Sequence, residues 1–363
     1  MKILLLGEYS NVHATLADGL RTLGHQVTVA SNGDFWKGYP CDISLARKEG
    51  KAGGLLLLAK IYALLPKLRG YDIVQLINPM FVELKANRIF NIYRYLKRHN
   101  KRIVLGGFGM DWYWVHTCTY NSPLRYSDFN IGESKRTNKD AVKEQKDWLG
   151  TDKEALNKLI AKECDGIVTG LYEYWTCYKP VFPEKTVYIP FPIHPKDVAI
   201  QPHTGKLKLF IGINKNRSEY KGTDIMLRAA QEIAKKYPEK VELRIAESVP
   251  FKEYVKLMNG SDAILDQLYS YTPSMNPLEA MSKGIICIGG GEEENYEILD
   301  ENELRPIINV QPSYESVYHE LELLALHPER IDNLKAQSIE YIRRHHDYTK
   351  VAKRYETFYR SLF

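Results

Sequence analysis

The sequence predicts an α/β protein of two Rossmann-like, doubly wound domains that face a cleft. Three observations support this fold class. The chain has 363 residues, too many for one typical hydrophobic core, which indicates about two domains. Short runs of Ile, Val and Leu alternate with longer amphipathic stretches, as parallel strands buried on both faces alternate with helices. Residues 190–195 hold three prolines, which is typical of a stiff linker.

The alternation can be followed along the chain. In the first half, strands are predicted at residues 3–6, 27–30, 73–77, 103–105, 167–169 and 187–189, and helices at 13–23, 54–68, 83–100 and 151–162. After the prolines, strands are predicted at 207–213, 241–245, 263–265, 285–288 and 306–309, and helices at 223–235, 251–258, 276–283, 314–324 and 329–345. Residues 1–195 and 196–345 are expected to form the two domains. Residues 346–363 are expected to form a last helix that packs back on the first domain.

Composition narrows the class of protein. Hydrophobic content of 44% and charged content of 26% are ordinary for a soluble globular protein. The five cysteines are odd in number and make no CxxC pair, which favours a reducing cytosol over disulfides or a zinc site. The first apolar run is too short for a signal peptide, and no stretch reaches the length of a spanning helix. We therefore expect a cytoplasmic protein.

The positive charge is unevenly distributed. Residues 1–100 hold 14 Lys/Arg and 7 Asp/Glu, so their net charge is +7. The net charge of the whole chain is +5, so the remaining residues have a net charge of −2. A basic first domain suggests an acidic acceptor or an anionic membrane surface. The apolar and basic stretch 55–69 could lie on the inner face of a membrane, although such a stripe more often covers a sheet. Nucleic acid is not expected, because basic residues do not alternate with aromatic ones.

A helix start is predicted directly after the strand at residues 263–265. Asn276 can cap the helix, Pro277 suits its first position, and Glu279 lies in its first turn. In an α/β domain, such a helix begins where ligands bind, and its free N–H groups attract anions such as a diphosphate. Asn276-x-x-Glu279 is also a capping-box pattern, which requires no ligand.

A second polar loop joins the strand at residues 207–213 to the helix that follows. It carries the cations Lys215, Arg217 and Lys221. Arginine offers phosphate a planar fork and lysine a compact charge, so the loop could bind the same diphosphate. The alternative is a charged loop that is simply solvated.

Together the two loops resemble those of the GT-B glycosyltransferases, in particular the retaining, family 4-like group. Lys221-Gly222 is similar to a Lys-Gly element of that family, and residues 278–284 are similar to the second half of its Glu-x7-Glu motif. Tyr271 stands where the motif has its first Glu, which in the family touches the donor sugar. The resemblance implies a transferase that moves a sugar, with retention and without metal, from a nucleotide-diphosphate sugar to a glycan or lipid-linked acceptor.

The resemblance also implies roles for individual residues. The donor-binding set is Gly7, Lys215, Arg217, Lys221, Tyr271, Ser274, Met275, Asn276 and Glu279. The catalytic set is Asp111, Arg217, Lys221 and Glu279. The acceptor-binding set is His13, Asp111 and His116, of which the last two are chosen because they follow a Gly-rich turn after the fourth strand and not from the resemblance; either histidine could equally be structural. No cofactor is expected beyond the sugar nucleotide as co-substrate.

Other function classes remain open or are disfavoured. A nucleotide-sugar epimerase could use the same scaffold, and Tyr271 in place of Glu favours a non-catalytic nucleotide-sugar or glycan-binding protein. The sequence lacks GxGxxG after the first strand and lacks GxxxxGK[ST], which disfavours a dehydrogenase and a P-loop enzyme. It also lacks Asp-x-Asp, which disfavours a diphosphate held by a metal ion.

Overall fold

The structure, a computed structural model, describes residues 1–50, 52–200, 202–249 and 251–363, with all their side chains but those of Trp36, Phe251 and Lys252. The chain forms two compact units, which we describe one at a time. The first comprises Met1–Thr117, Glu144–Pro192 and Tyr348–Phe363, and the second comprises Cys118–Lys143 and Ile193–Asp347.

The predicted strands and helices occur along the chain in the predicted order, with further short elements between them. The strands are β1 (Lys2–Leu6), β2 (Gln26–Ser31), β3 (Ile43–Ser44), β4 (Ile73–Leu76), β5 (Arg102–Gly107), β6 (Asn130–Ile131), β7 (Ser134–Lys135), β8 (Gly166–Thr169), β9 (Thr186–Tyr188), β10 (Leu207–Ile213), β11 (Val241–Glu247), β12 (Ala263–Leu265), β13 (Ile286–Gly289) and β14 (Ile308–Asn309). The α-helices are α1 (Val12–Thr22), α2 (Gly53–Leu64), α3 (Ala86–His99), α4 (Trp112–Tyr120), α5 (Lys139–Trp148), α6 (Asp152–Glu163), α7 (Tyr172–Tyr178), α8 (Ser218–Lys221), α9 (Thr223–Lys236), α10 (Phe251–Met258), α11 (Met275–Met281), α12 (Glu293–Glu297), α13 (Tyr314–Leu326), α14 (Ile331–Tyr341) and α15 (Tyr348–Ser361).

Every predicted strand and helix overlaps an observed element of the same type, so the α/β class is confirmed. The sequence did not predict α4, α5, α7, α8, α12, β3 or the hairpin of β6 and β7. Most of these are short and lie between the main elements, where apolar periodicity has too few residues to be visible.

The first unit is organised around a parallel sheet with the strand order β3-β2-β1-β4-β5-β8-β9. The chain builds outward from β1 on one side and then on the other, which is the doubly wound arrangement. The central strands are apolar and almost fully buried, as strands covered on both faces are. α15 belongs to this unit, where the Tyr359 hydroxyl donates a hydrogen bond to Gln75 Oε1 of β4 at 2.7 Å.

The second unit has a parallel sheet with the order β11-β10-β12-β13-β14. One face packs on α9, α13 and α14 through side chains such as Met226 and Leu321. The other face packs on α10 and α11 through side chains such as Met258 and Ala280. Helices therefore cover both faces, and the strand ends are left for the loops.

Apart from shifts of two or three residues at the boundaries, the observed units differ from the predicted ranges in one segment. Residues 118–143 were assigned to the first domain because they precede the proline segment. In the structure they belong to the second unit, and the chain returns to the first unit at Glu144. The contacts that hold this segment are long-range ones, which local sequence patterns do not reveal.

Candidate functional site

Three loops of the second unit leave the carboxyl ends of neighbouring parallel strands. Leu265 of β12 pairs with Ile211 of β10 on one side and with Ile288 of β13 on the other. The loops after these strands therefore lie at one edge of the sheet, the edge at which α/β sheets bind their ligands. They span residues 214–222, 266–274 and 290–292.

Lys221 is held at this edge by its backbone. It ends α8, and Gly222 follows with a φ of +73°, a left-handed conformation that glycine adopts without strain. A Cβ atom on Gly222 would lie only 2.8 Å from the Cβ of Leu268. The Leu268 N–H donates a hydrogen bond to the Lys221 carbonyl at 3.0 Å. The Lys-Gly pair therefore fits closely against the loop that follows β12.

The charge of Lys221 acts on a carboxylate at the end of β12. Burial raises the pKa of Asp266 above its ordinary value. The charge of Lys221 and a hydrogen bond from Asn276 act in the opposite direction but are smaller effects. The Asn276 amide lies 3.4 Å from Asp266 Oδ1 and donates to the Tyr254 hydroxyl at 2.9 Å. A cation, a carboxylate and the first turn of α11 are thus brought together at the end of β12.

The first turn of α11 differs from the prediction. The N-cap residue is Ser274, and the Leu278 N–H donates to its carbonyl at 3.1 Å, so the helix begins at Met275. Pro277 is the third helical residue, where its missing N–H removes no hydrogen bond because the first four N–H groups of a helix lack intrahelical acceptors. The predicted cap at Asn276 is wrong, because its amide makes the side-chain contacts described above.

Glu279 lies in the second turn of α11 and is half-exposed. Its carboxylate is 3.5 Å from the Lys196 ammonium and 3.6 Å from the Lys283 ammonium. Since the N-cap is Ser274, two residues before the predicted cap, Asn276 and Glu279 do not occupy the two positions of a capping box. The carboxylate is therefore available at the surface, and its ribose-binding role stays a prediction.

Lys215 and Arg217 are both exposed on the short turn before α8. The Lys215 ammonium pairs with Glu247 of β11 at 2.5 Å. The Arg217 guanidinium lies 4.8 Å from the centre of the Tyr220 ring. Arg217 thus contacts the helix that carries Lys221, whereas Lys215 is drawn toward the neighbouring strand.

Tyr271 is buried beneath a residue of segment 118–143. Its hydroxyl accepts a hydrogen bond from the Arg125 N–H at 2.7 Å, and the Arg125 guanidinium lies 4.9 Å from its ring centre. The same guanidinium pairs with Glu292 at 2.8 Å and with Glu294 at 2.5 Å. Tyr271 therefore anchors another part of the chain. The sequence did not indicate this contact, since Arg125 and Tyr271 are 146 residues apart.

In the first unit, Gly7 and His13 support each other after β1. Gly7 has a φ of +88°, and a Cβ there would lie 2.3 Å from Ile77 Cγ2, so the position requires glycine. The Gly7 carbonyl lies 2.8 Å from His13 Nδ1, and Gln75 Nε2 lies 3.2 Å from His13 Nε2. Burial lowers the pKa of His13 to about 3, so the ring is neutral. It is fully enclosed, so the structure does not place His13 where an acceptor could touch it.

Asp111 caps α4. Its Oδ1 accepts a hydrogen bond from the Trp114 N–H at 2.9 Å, and its Oδ2 accepts one from the Tyr178 hydroxyl at 2.7 Å. The side chain is fully buried, and burial raises its pKa to about 7. The carboxylate is therefore turned into the unit and not toward an acceptor. His116 is only half-buried, with its ring centre 4.4 Å from that of Trp112, and burial lowers its pKa.

Replacing Asp111 with asparagine tests this buried cap. The folded pKa of about 7 lies above the ordinary value of 3.8, so between these pH values the folded protein keeps a proton that the unfolded chain releases. Stability from Asp111 is thus complete below pH 3.8 and is lost as the pH rises toward 7. Asparagine can still cap a helix and does not titrate. We expect the unfolding free energy of Asp111→Asn, relative to wild type, to rise by at most about 4 kcal/mol over this range.

Thermal unfolding followed by circular dichroism at about pH 4.5 and about pH 7.5 measures this change. Asp18→Asn is the matched control, because the Asp18 side chain is 49% exposed. A difference between Asp111→Asn and wild type that stays constant across the two pH values would contradict the buried titration.

The first unit also contains a cavity of about 1000 Å³. The chain segments that follow β1, β4 and β5 contribute Gly7, Asn78 and Met110 to its wall. At other points the wall includes Leu55 and Arg47. The cavity therefore lies at the carboxyl edge of the first sheet, where ligands bind in this fold. The sequence indicated the Gly7 loop but not the rest of the wall, which is assembled from distant segments.

Comparison with known structures defines the class of fold. HepE of Anabaena in complex with UDP-glucose is 12% identical with a TM-score of 0.62, and the match covers 99% of this chain and 100% of that one. Sucrose-phosphate synthase of Thermosynechococcus elongatus is 11% identical with a TM-score of 0.65, and the match covers 100% of this chain and 99% of that one. An α-glucosyltransferase in complex with UDP and a 13-mer DNA is 13% identical with a TM-score of 0.58, and the match covers 99% of each chain. The chain thus has the GT-B fold.

A resemblance to a protein family is found in the second unit and the first part of α15. Residues 217–357 match a family described as glycosyl transferase-like. With the fold, this match makes the chain similar to glycosyltransferases of the GT-B class. A search of curated proteins gives no match. Within the described part of the chain, no helix has both the length and the apolar character needed to cross a bilayer.

Proposed function

We propose that the protein transfers a sugar from a nucleotide-diphosphate sugar to a glycan or lipid-linked acceptor, with retention of configuration and without a metal ion. The observation that carries this proposal is the proximity of Lys221, Asp266 and the first turn of α11 at one sheet edge. The solved structures of HepE with UDP-glucose and of the α-glucosyltransferase with UDP support a uridine nucleotide as the first candidate.

Charge stabilisation explains how this edge could act. As the sugar–phosphate bond breaks, negative charge grows on the departing diphosphate. A cation about 4 Å from that charge contributes on the order of 4 kcal/mol at an effective dielectric of 20. The charge of Lys221 reaches the end of β12, where it acts against the effect of burial on the pKa of Asp266. The leaving oxygen then accepts the acceptor proton, so the site mainly positions and stabilises charge.

A ligand screen tests the donor. Thermal unfolding is measured with UDP, GDP, ADP and their glucose or N-acetylglucosamine derivatives. A ligand at about 100 times its dissociation constant adds about 2.7 kcal/mol to the unfolding free energy. We expect a uridine nucleotide to raise the melting temperature. If none of these nucleotides changed the melting temperature or bound by calorimetry, the proposal would fail.

A non-catalytic sugar-nucleotide-binding protein is the second candidate. The observation that favours it is Tyr271, whose hydroxyl is bound to Arg125 and is buried. Turnover separates the candidates: the bound donor is incubated with a panel of glycans and lipid-linked sugars, and released nucleotide is measured. Release that depends on an acceptor supports the transferase. Tight binding without release over the whole panel supports the binding protein.

The exposed face of α2 is relevant to whether the protein binds a membrane surface. Leu57 and Ile61 face the interior, while Leu55 and Leu56 are 59% and 53% exposed. Lys60, on the same helix, is exposed as well. Apolar side chains beside cations suit the surface of an anionic membrane, and we expect peripheral binding there from the cytoplasmic side.

Vesicle sedimentation measures this binding. Leu55→Ser combined with Leu56→Ser is expected to weaken binding to vesicles of phosphatidylcholine and phosphatidylglycerol by about tenfold or more, since burying one leucine contributes about 1.5 kcal/mol or more. Leu326→Ser, which changes a leucine 40% exposed on the second unit, is the matched control. Equal sedimentation of the double variant and the control would contradict the membrane role of α2.

A further inference from the structure

Residues 118–143 form a segment that belongs to the second unit although the chain before and after it belongs to the first. We call it the inserted segment. It contains the antiparallel hairpin of β6 and β7, whose strands pair Asn130 with Lys135. Two arginines of the inserted segment, one on each side of this hairpin, contact the loops of the candidate donor site.

The first contact is made by Arg136 with the residues just before Lys221. One nitrogen of its guanidinium, Nη2, donates hydrogen bonds to the carbonyls of Glu219 at 2.9 Å and Tyr220 at 3.0 Å. The guanidinium also lies 3.4 Å from the centre of the Tyr269 ring, in the loop after β12. Carbonyls at the end of a helix lack intrahelical donors, so Arg136 satisfies groups that α8 leaves unpaired.

Arg136 and Leu268 hold the same short helix from two directions. The Leu268 N–H donates to the Lys221 carbonyl, while Arg136 binds the two preceding carbonyls. Three consecutive carbonyls, up to and including that of Lys221, are therefore fixed. α8 has only four residues and could not keep this geometry alone, because an isolated helical turn is unstable.

The second contact is made by Arg125 on the opposite side of the hairpin. As described above, it binds Tyr271 after β12 and the carboxylates of Glu292 and Glu294 after β13. The Tyr126 hydroxyl also donates a hydrogen bond to Glu292. The inserted segment thus contacts all three loops at the carboxyl edge of the second sheet.

We propose that the inserted segment completes the donor site and that Arg136 is a positioning residue for Lys221. This inference rests on the proposed function, because it assigns Arg136 to the binding of the nucleoside diphosphate by Lys221. Arg136 acts through the α8 backbone and has no direct contact with the ligand. Losing it frees the helix end, so the ammonium samples positions away from the diphosphate, and small displacements of this kind weaken function strongly.

A double-mutant cycle on nucleotide affinity tests the proposal. Binding of UDP, or of the nucleoside diphosphate that binds best, is measured by calorimetry for wild type, Arg136→Ala, Lys221→Ala and the double variant. We expect Arg136→Ala to weaken binding roughly tenfold in the presence of Lys221 and hardly at all in its absence. Additive losses, or unchanged affinity of Arg136→Ala, would overturn the positioning role.

Two further variants separate positioning from general destabilisation. Arg136→Lys keeps the charge but not the planar fork, so we expect it to recover only part of the affinity. Arg228→Ala removes another guanidinium that lies over a tyrosine, 4.3 Å from the Tyr314 ring, and serves as the matched control. A loss of affinity in Arg228→Ala equal to that in Arg136→Ala would point to destabilisation and overturn the proposal.

Hydrogen exchange of the ligand-free protein distinguishes failure of this inference from failure of the proposed function. In Arg136→Ala we expect the amides of residues 218–222 and of Leu268 to exchange roughly tenfold faster, with no change in Arg228→Ala. Unchanged exchange overturns the inference whatever ligand binds. Faster exchange in a protein that binds no nucleoside diphosphate overturns the proposed function and with it the donor role of Arg136.

Discussion

The Lys221→Ala variant is expected to turn over its donor roughly 10²–10³ times more slowly than wild type, by analogy with losing one charge-stabilising donor. Lys221 stands at the carboxyl edge of the second sheet, where burial raises the pKa of Asp266 and the charge of Lys221 partly opposes this rise. A diphosphate leaving group develops charge mainly in the transition state, so the loss should appear in kcat more than in KM.

Steady-state kinetics with the donor found in the ligand screen measures this loss. Lys235→Ala removes an exposed lysine on α9 and is the matched control, with expected wild-type rates. Turnover of Lys221→Ala close to that of wild type would remove Lys221 from the site. The idea that the cation acts on the leaving group would fall with it.

The Lys335→Ala variant is expected to lose about 3–5 kcal/mol of unfolding free energy, because it leaves a buried carboxylate without its partner. The Lys335 ammonium lies 2.5 Å from Asp262, and the two side chains are 10% and 7% exposed. Asp262 also accepts a hydrogen bond from the Lys208 N–H at 2.9 Å and lies 3.2 Å from His203 Nδ1. Asp262 immediately precedes β12, the strand that ends at the candidate donor site.

The pH dependence of this loss follows from Asp262. Burial raises its pKa, but the hydrogen bond from Lys335 is among the contacts that bring it below the ordinary value of 3.8. A carboxylate with a lowered folded pKa stabilises the protein above its unfolded pKa, and this stability is lost as the pH falls through the folded value. The cost of Lys335→Ala should therefore be full near neutral pH and shrink in acid.

Denaturant unfolding at neutral and acid pH checks both expectations. Lys236→Ala is the control, because it breaks an exposed pair with Glu322 (49% and 24% exposed), and such pairs contribute about 0–1 kcal/mol. Lys335→Met, which keeps most of the apolar stem, separates the lost charge from the lost packing. If Lys335→Ala and Lys236→Ala unfolded at the same denaturant concentration, the buried pair would not contribute the expected unfolding free energy.

Local sequence was sufficient for most of the fold. Runs such as Leu207–Ile213 and Ala263–Leu265 are mostly or wholly apolar, and their predicted and observed bounds agree. The observed cap of α11 lies two residues before the predicted one because Ser274, Asn276 and Pro277 all favour a helix start, and only tertiary contacts select among them. α4 was missed because its aromatic residues, such as Trp112 and Trp114, show no clear helical periodicity.

The candidate site was predicted only in part. Lys221-Gly222 could be predicted from the cations of its polar loop and from the resemblance to a Lys-Gly element of the GT-B glycosyltransferases. His13 and Asp111 are typical functional residue types, but their burial depends on how α1 and α4 pack, and the sequence does not show it. The sequence gives no signal for Arg125 and Arg136, since nothing near them in the chain marks them as different from other surface arginines.

By itself, the sequence determined the α/β class, the order of the main strands and helices, and the two segments that carry Lys221 and Glu279, because these depend on short-range patterns of apolar, charged and turn residues. The tertiary structure alone decided that residues 118–143 join the second unit, that Tyr271 lies beneath Arg125, and that Arg136 holds the end of α8. Each of these contacts joins residues more than 80 positions apart. Their partners are chosen by packing of the folded chain, which leaves no periodicity in the sequence.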